Sequence, residues 1–131
     1  MNETYTPPTI LVVEEDDEVR PVLSQNLRHQ GYHVVVALNE ADAIERTKGA
    51  GLCPGLILLN QFGRSIQDYA VMGKRIRESA GIGDRTPIVV MAEDYGADME
   101  GKDVQMDGTG YVTYLEDGQQ LMNLLQRLCP I

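Results

Sequence analysis

The stretch Ile10-Leu11-Val12-Val13-Glu14-Glu15-Asp16-Asp17 decides the reading of this chain, because four aliphatic residues run without interruption into four acids. A short apolar run bounded by polar residues suits a strand covered on both faces, as in a parallel sheet. A second run of the same kind, Leu56-Ile57-Leu58-Leu59, ends on Asn60. In sheets of this type the chemistry sits beyond the carboxyl ends of the strands, so Glu14, Glu15 and Asn60 are expected to share one crevice.

Working outward, strand and helix patterns alternate. After the first strand, Val19, Val22, Leu23 and Leu27 fall on one helical stripe, with Asp16 or Asp17 as N-cap, Pro21 in the first turn and Gly31 at the C-cap. Tyr32 to Ala37 reads as a strand. Asn39 caps a short helix carrying Ala41, Ile44 and Thr47 and stopped by Gly49 and Gly51. Ser65, with Asp68 three residues on, opens a helix carrying Ile66, Tyr69, Val71, Met72 and Ile76 to about Ser79, ended by Gly81 and Gly83. Ile88 to Met91 is a fourth strand.

From Glu93 to Gly110 the glycines and scattered aspartates oppose a helix, and a loop with at most one turn is expected. Tyr111 to Thr113 then forms a fifth strand, and Leu121, Leu124, Leu125 and Leu128 mark a last helix. Right-handed crossovers place helices on both faces of such a sheet. The expected fold is α/β, a doubly wound five-stranded parallel sheet of order 2-1-3-4-5 in the flavodoxin-like class, with the fourth helix short or absent.

At 131 residues the chain accommodates one core. Residues 1–8 read as a flexible N-terminal arm and residues 9–131 as a single domain. The net charge of −9, without any cluster of Lys and Arg, argues against nucleic acid and anionic membranes as partners. No stretch approaches the length of a membrane span, no leader pattern opens the chain, and a cytoplasmic location is expected. Cys53 and Cys129 read as buried or semi-buried thiols of a reducing compartment, and His29 and His33 as solvated surface residues.

The residues leaving the strands at their carboxyl ends are Glu14 and Glu15, then Asn60, Ala92 and Tyr114. Adjacent carboxylates repel, so a partly buried pair needs a cation, a hydrogen-bond donor or water, and the Asn60 amide is one such donor. The runs Ile10 to Asp16, Pro54 to Asn60, Pro87 to Ala92 and Gly110 to Tyr114, with their spacing, resemble the receiver domains of two-component response regulators over Ile10 to Leu128. The resemblance implies a bacterial phosphorelay setting. In that family an acid pair holds magnesium, an aspartate after the third strand accepts a phosphoryl group from a histidine kinase, and a hydroxyl residue and a lysine complete the switch.

Here the pair is Glu14 and Glu15, the acceptor position is Asn60, the hydroxyl position Ala92, and the lysine position Tyr114. The proline usual after the third strand is missing from Gln61-Phe62-Gly63-Arg64-Ser65. An amide is too weak a nucleophile to form an acyl phosphate, Ala92 makes no hydrogen bond from its side chain, and Tyr114 brings no ammonium. The site is therefore read as a degenerate, pseudo-receiver site with no catalytic residue and no required cofactor. Magnesium would have Glu15, the Asn60 side-chain oxygen and the Phe62 backbone carbonyl, a weak set.

Tyr111 matches a position where the family often has an aromatic that turns inward. It is read as a packed aromatic of strand five, or as one held in a fixed rotamer on a constant binding face. Tyr114 either fills the space of a lysine or bonds Glu14 or Glu15 through its phenol. The functional expectation is a stand-alone, non-enzymatic, receiver-like signalling protein that acts by binding another protein without aspartyl phosphorylation. The alternatives are a phosphorelay receiver modified at another acid, Asp16 being nearest, or a small-molecule sensor of the flavin-binding type. No oligomeric state follows from the sequence.

Overall fold

The computed structural model describes residues 6–48 and 52–131. The expected stops at Gly49 and Gly51, and most of the expected N-terminal arm, lie outside the described residues. Ten elements follow in order: β1 (Thr9–Val13), α1 (Val19–His29), β2 (His33–Ala37), α2 (Glu40–Lys48), β3 (Leu56–Asn60), α3 (Ile66–Ser79), β4 (Ile88–Met91), β5 (Asp103–Gln105), β6 (Gly110–Thr113) and α4 (Gly118–Leu128).

The sheet has the order β2-β1-β3-β4-β6-β5. Its first five strands in that order are parallel and reproduce the expected doubly wound arrangement, while β5 pairs antiparallel with β6 at the edge. The five-stranded expectation is thus corrected to six. The loop expected over Glu93 to Gly110 contains this extra strand, which is exposed throughout and carries a single aliphatic residue, Val104. Among the described residues the fourth helix of the expected pattern is absent, and the last helix is α4.

Alternation along each strand divides the core into two layers. Ile10, Val12, Leu56, Leu58, Val89 and Met91 pack against Leu23 and Leu27 of α1 and Leu121, Leu124 and Leu125 of α4. Leu11, Val13, Ile57, Leu59 and Val90 face Ala43 of α2 and Tyr69, Met72 and Ile76 of α3. The strands β1, β3 and β4 are buried along their aliphatic runs because both faces are covered. Gly73 lets α3 approach β4 closely, since a Cβ there would stand 2.6 Å from Ile88 Cγ2.

The helix ends follow local chemistry. Ser65 and Asp68 form a complete capping box on α3. The Asn39 side chain accepts from the Asp42 N–H at 2.8 Å. Gly31 and Gly81 leave α1 and α3 through positive φ. Some stripe assignments shift: Val22 is well exposed on α1, Val71 lies at the edge of the α3 stripe, and Ala43 rather than Ala41 meets the core on α2. Cys53 is exposed, against expectation, and Cys129 is buried beneath Gly55.

Candidate functional site at the carboxyl ends of the central strands

The register pairs Val13 with Leu59, and Asn60 with Met91, so the residues following β1 and β4 flank the end of β3. Glu14 is wholly buried, its N–H extending the sheet to the Ala37 carbonyl at 3.1 Å. The Asn60 amide donates to Glu14 Oε1 at 2.8 Å, and the Asp16 N–H donates to Oε2 at 3.2 Å. Burial raises the Glu14 carboxyl pKa above 4.5, while the Asp16 and Asn60 donors oppose the rise. Arg20 adds a positive charge nearby and holds the Glu14 backbone carbonyl through Nε at 2.9 Å.

Glu15 meets a different set of partners. Its Oε1 accepts from the Tyr69 hydroxyl at 2.5 Å, and its Oε2 from the Arg64 guanidinium at 3.0 Å. The Tyr69 oxygen also accepts from the Phe62 N–H at 3.1 Å and lies 2.9 Å from the Phe62 carbonyl. A phenol has one proton, and the shorter, charge-assisted contact to Glu15 is the stronger destination. Burial, followed by the neighbouring Glu15 carboxylate, pushes the Tyr69 phenol pKa up, so it stays protonated and donating. The Arg64 guanidinium lies 5.0 Å from the Tyr69 ring centroid, a cation–π distance.

The loop after β3 is also tied to the loop after β4. Gln61 Oε1 accepts from the Glu93 N–H at 2.8 Å, and its Nε2 donates to the Arg64 carbonyl at 2.8 Å. Glu93 Oε1 accepts in return from the Gly63 N–H at 2.9 Å. Gly63 adopts φ +82°, which lets the chain turn sharply between these anchors.

Of the positions singled out in the sequence, Glu14 and Asn60 are in direct contact, and Glu15 lies beside them on a different set of partners. Ala92 continues the β4 to β6 ladder, its N–H donating to the Thr113 carbonyl at 3.0 Å. Tyr114 sits elsewhere: its ring meets Tyr95 edge-on at 5.5 Å, while the Glu14 carboxylate is held by Asp16 and Asn60. Tyr111 is partly buried against the α1 and α4 layer, with the Arg127 guanidinium 5.9 Å from its ring centroid. Asp16, the nearest alternative acid, accepts from the Glu18 N–H at 2.9 Å in the turn before α1, whose N-cap is Glu18, without a side-chain cap, rather than the expected Asp16 or Asp17.

Four residues of the crevice went unread in the sequence: Gln61, Arg64, Tyr69 and Glu93. A cation in the five-residue loop that follows the strand opposite an acid pair was the available signal. The hydroxyl of Tyr69 was hidden behind its ring, which does lie on the apolar stripe. A further buried polar group, Thr113, donates to Asp103 Oδ1 at 2.6 Å and ties β5 to β6.

The ligand set considered for magnesium is engaged with other partners in this structure. Magnesium needs near-octahedral oxygen donors, and each contact that orients a donor elsewhere works against that geometry. Both Glu15 oxygens are engaged, the Phe62 carbonyl faces the Tyr69 hydroxyl, and Asn60 is oriented by its bond to Glu14. Among the described residues no group of three or more His, Cys, Asp or Glu is arranged to hold a metal. No helix among the described residues is long and apolar enough to cross a membrane.

No family model and no curated protein matches the chain. Solved structures do. A response regulator receiver protein from Sinorhizobium medicae matches with a TM-score of 0.66 at 17% identity, over 94% of this chain and 94% of that one. The Vibrio cholerae chemotaxis protein CheY4 matches with a TM-score of 0.65 at 17% identity, over 94% of this chain and 99% of that one. A response regulator from Thermotoga maritima matches with a TM-score of 0.66 at 17% identity, over 96% and 100% of the two chains. The chain therefore has the fold of a response regulator receiver domain, with an added antiparallel edge strand.

Proposed function

We propose that this chain is a receiver-like signalling domain that works by binding another protein and is not switched by aspartyl phosphorylation. The observation that carries the reading is the 2.8 Å hydrogen bond from the Asn60 amide to Glu14. At the end of β3, where a phosphoryl acceptor would have to present a carboxylate, the side chain is an amide spent as a donor. A carboxamide forms no acyl phosphate under these conditions, and neither Ala92 nor Tyr114 places a neutralising group on a transferred anion. The similarity to receiver domains supports the signalling role, and the exposed segment from Glu93 to Gly110 is the surface assigned to the partner. The protein is read as cytoplasmic and without enzymatic activity.

The test exposes the purified protein to acetyl phosphate with magnesium, and separately to beryllofluoride with magnesium. Intact mass and amide chemical shifts at Glu14, Glu15, Asn60 and Gly63 are expected to stay unchanged. A stoichiometric phosphoryl adduct on any crevice acid would overturn the proposal. Affinity capture with the wild-type chain and with a variant altered between Glu93 and Gly110 then identifies the partner.

A further inference from the structure

The carboxylate pair after β1 raises a question that the missing acceptor leaves open, namely what compensates Glu15. Its Oε2 lies 3.0 Å from the Arg64 guanidinium and its Oε1 2.5 Å from the Tyr69 hydroxyl. Arg64 is held in turn: its backbone carbonyl accepts from Gln61, and its guanidinium lies over the Tyr69 ring. The partners of Glu14 are neutral donors, the Asn60 amide and the Asp16 N–H. The crevice thus presents one paired carboxylate and one buried, hydrogen-bonded carboxylate, with a positive charge already in place.

We infer that the Arg64 guanidinium is a tethered cation that stands in for a divalent ion, holding Glu15 and closing the crevice to metal. This deepens the reading of the site as one without phosphoryl chemistry and rests on it. A metal entering beside Glu15 has to displace Arg64, meets its positive charge at contact distance, and finds the Phe62 carbonyl already facing a hydroxyl. The surrounding chain suits this role. Gly63, at φ +82°, and the Gln61 clamp bring residue 64 back toward β1 before α3 begins at Ile66.

Arg64 is half exposed and is not itself a member of either core layer, its guanidinium resting over the ring of Tyr69. The prediction is a gain of binding. Manganese(II) is titrated into the wild type, Arg64→Ala and Arg64→Lys, without any phosphoryl donor, and paramagnetic broadening of amide signals is followed residue by residue. The wild type is expected to show broadening only at scattered surface acids. Arg64→Ala is expected to broaden Glu15, Gln61, Phe62 and Gly63 selectively, with affinity there raised by at least about tenfold. Arg64→Lys, which keeps the charge, is expected to behave as the wild type.

Selective broadening at the crevice of the wild type overturns the inference, and so does an Arg64→Ala variant that gains nothing there. An Arg64→Lys variant that binds as well as Arg64→Ala shows that the positive charge is not what excludes the metal, and also overturns it. Thermal unfolding with and without magnesium gives an independent readout, since a ligand of the native state raises the midpoint. Only Arg64→Ala is expected to shift. A phosphoryl adduct would instead strike at the proposed function and leaves these titrations readable on their own.

Discussion

Replacing Asn60 by aspartate tests the electrostatics of the crevice most directly. The change exchanges an amide donor 2.8 Å from Glu14 Oε1 for a second acid at a wholly buried carboxylate. Two unit charges about 4 Å apart repel by roughly 4 kcal/mol at an effective dielectric near 20, and a hydrogen bond to a charged group, worth roughly 1.5–3 kcal/mol, is lost as well. The pair escapes part of this by sharing one proton. Retaining that proton costs about 1.4 kcal/mol for each pH unit above the unfolded-state pKa. Asn60→Asp is therefore expected to lose about 3–5 kcal/mol at pH 8 and about 1–2 kcal/mol at pH 5. The native pair binds more protons than the unfolded chain in this window, so the variant's stability falls as pH rises, opposite in sign to a salt-bridged acid. Urea unfolding of both proteins at pH 5 and pH 8 measures the difference. Equal stability at pH 8, or a loss independent of pH, would refute the reasoning.

Three further outcomes follow from individual contacts. Glu14→Gln removes a carboxyl whose pKa burial has raised, a group that contributes stability at low pH and loses it as pH rises through its native pKa, so urea unfolding should show a flatter profile from pH 5 to 8, set below the wild type at pH 5 because the amide can accept from only one of the Asn60 and Asp16 donors, a loss of about 1–3 kcal/mol. Tyr69→Phe keeps the ring but strips the acceptor from the Phe62 N–H and a donor from Glu15, costing about 1–3 kcal/mol in urea unfolding and speeding hydrogen exchange at Phe62. Gly73→Ala gains about 1 kcal/mol of helix propensity, yet its Cβ would meet Ile88 Cγ2 at 2.6 Å, an overpacking expected to cost more than the gain and to lower the melting temperature.

The contrast between β3 and β5 explains which parts of the fold were legible. Leu56 to Leu59 must be buried on both faces wherever it lies, so its residues announce a central strand. Asp103-Val104-Gln105 lies on the exposed edge and is a strand only because β6 presents a free edge, a tertiary cause that leaves no periodicity to read. The same logic divides the site. Glu14, Glu15 and Asn60 were placed together by the rule that binds strand ends to one crevice, which needs only the sheet order. Gln61, Arg64 and Glu93 reach it through loop geometry, where the position of a side chain depends on a glycine φ and on reciprocal hydrogen bonds. The phenol of Tyr114, eligible by position alone, belongs instead to a ring pair with Tyr95.

A receiver that switches needs two conformations close in free energy, so that a modification worth a few kcal/mol exchanges them. Here the β3 and β4 loops are joined before any ligand arrives. Gln61 with the Glu93 N–H and Glu93 with the Gly63 N–H connect the two loops, while Tyr69 and Arg64 hold Glu15. At about 1 kcal/mol net for each contact, opening all four costs on the order of 4 kcal/mol and leaves roughly 0.1% of molecules open. Relaxation dispersion should accordingly be flat at the Gly63 and Glu93 amides of the wild type. Glu93→Ala removes the acceptor of the Gly63 N–H and should introduce exchange there. Wild-type exchange on the millisecond scale at both amides would mean that the loops open despite the clasp, and that its contacts are too weak to hold a single binding face.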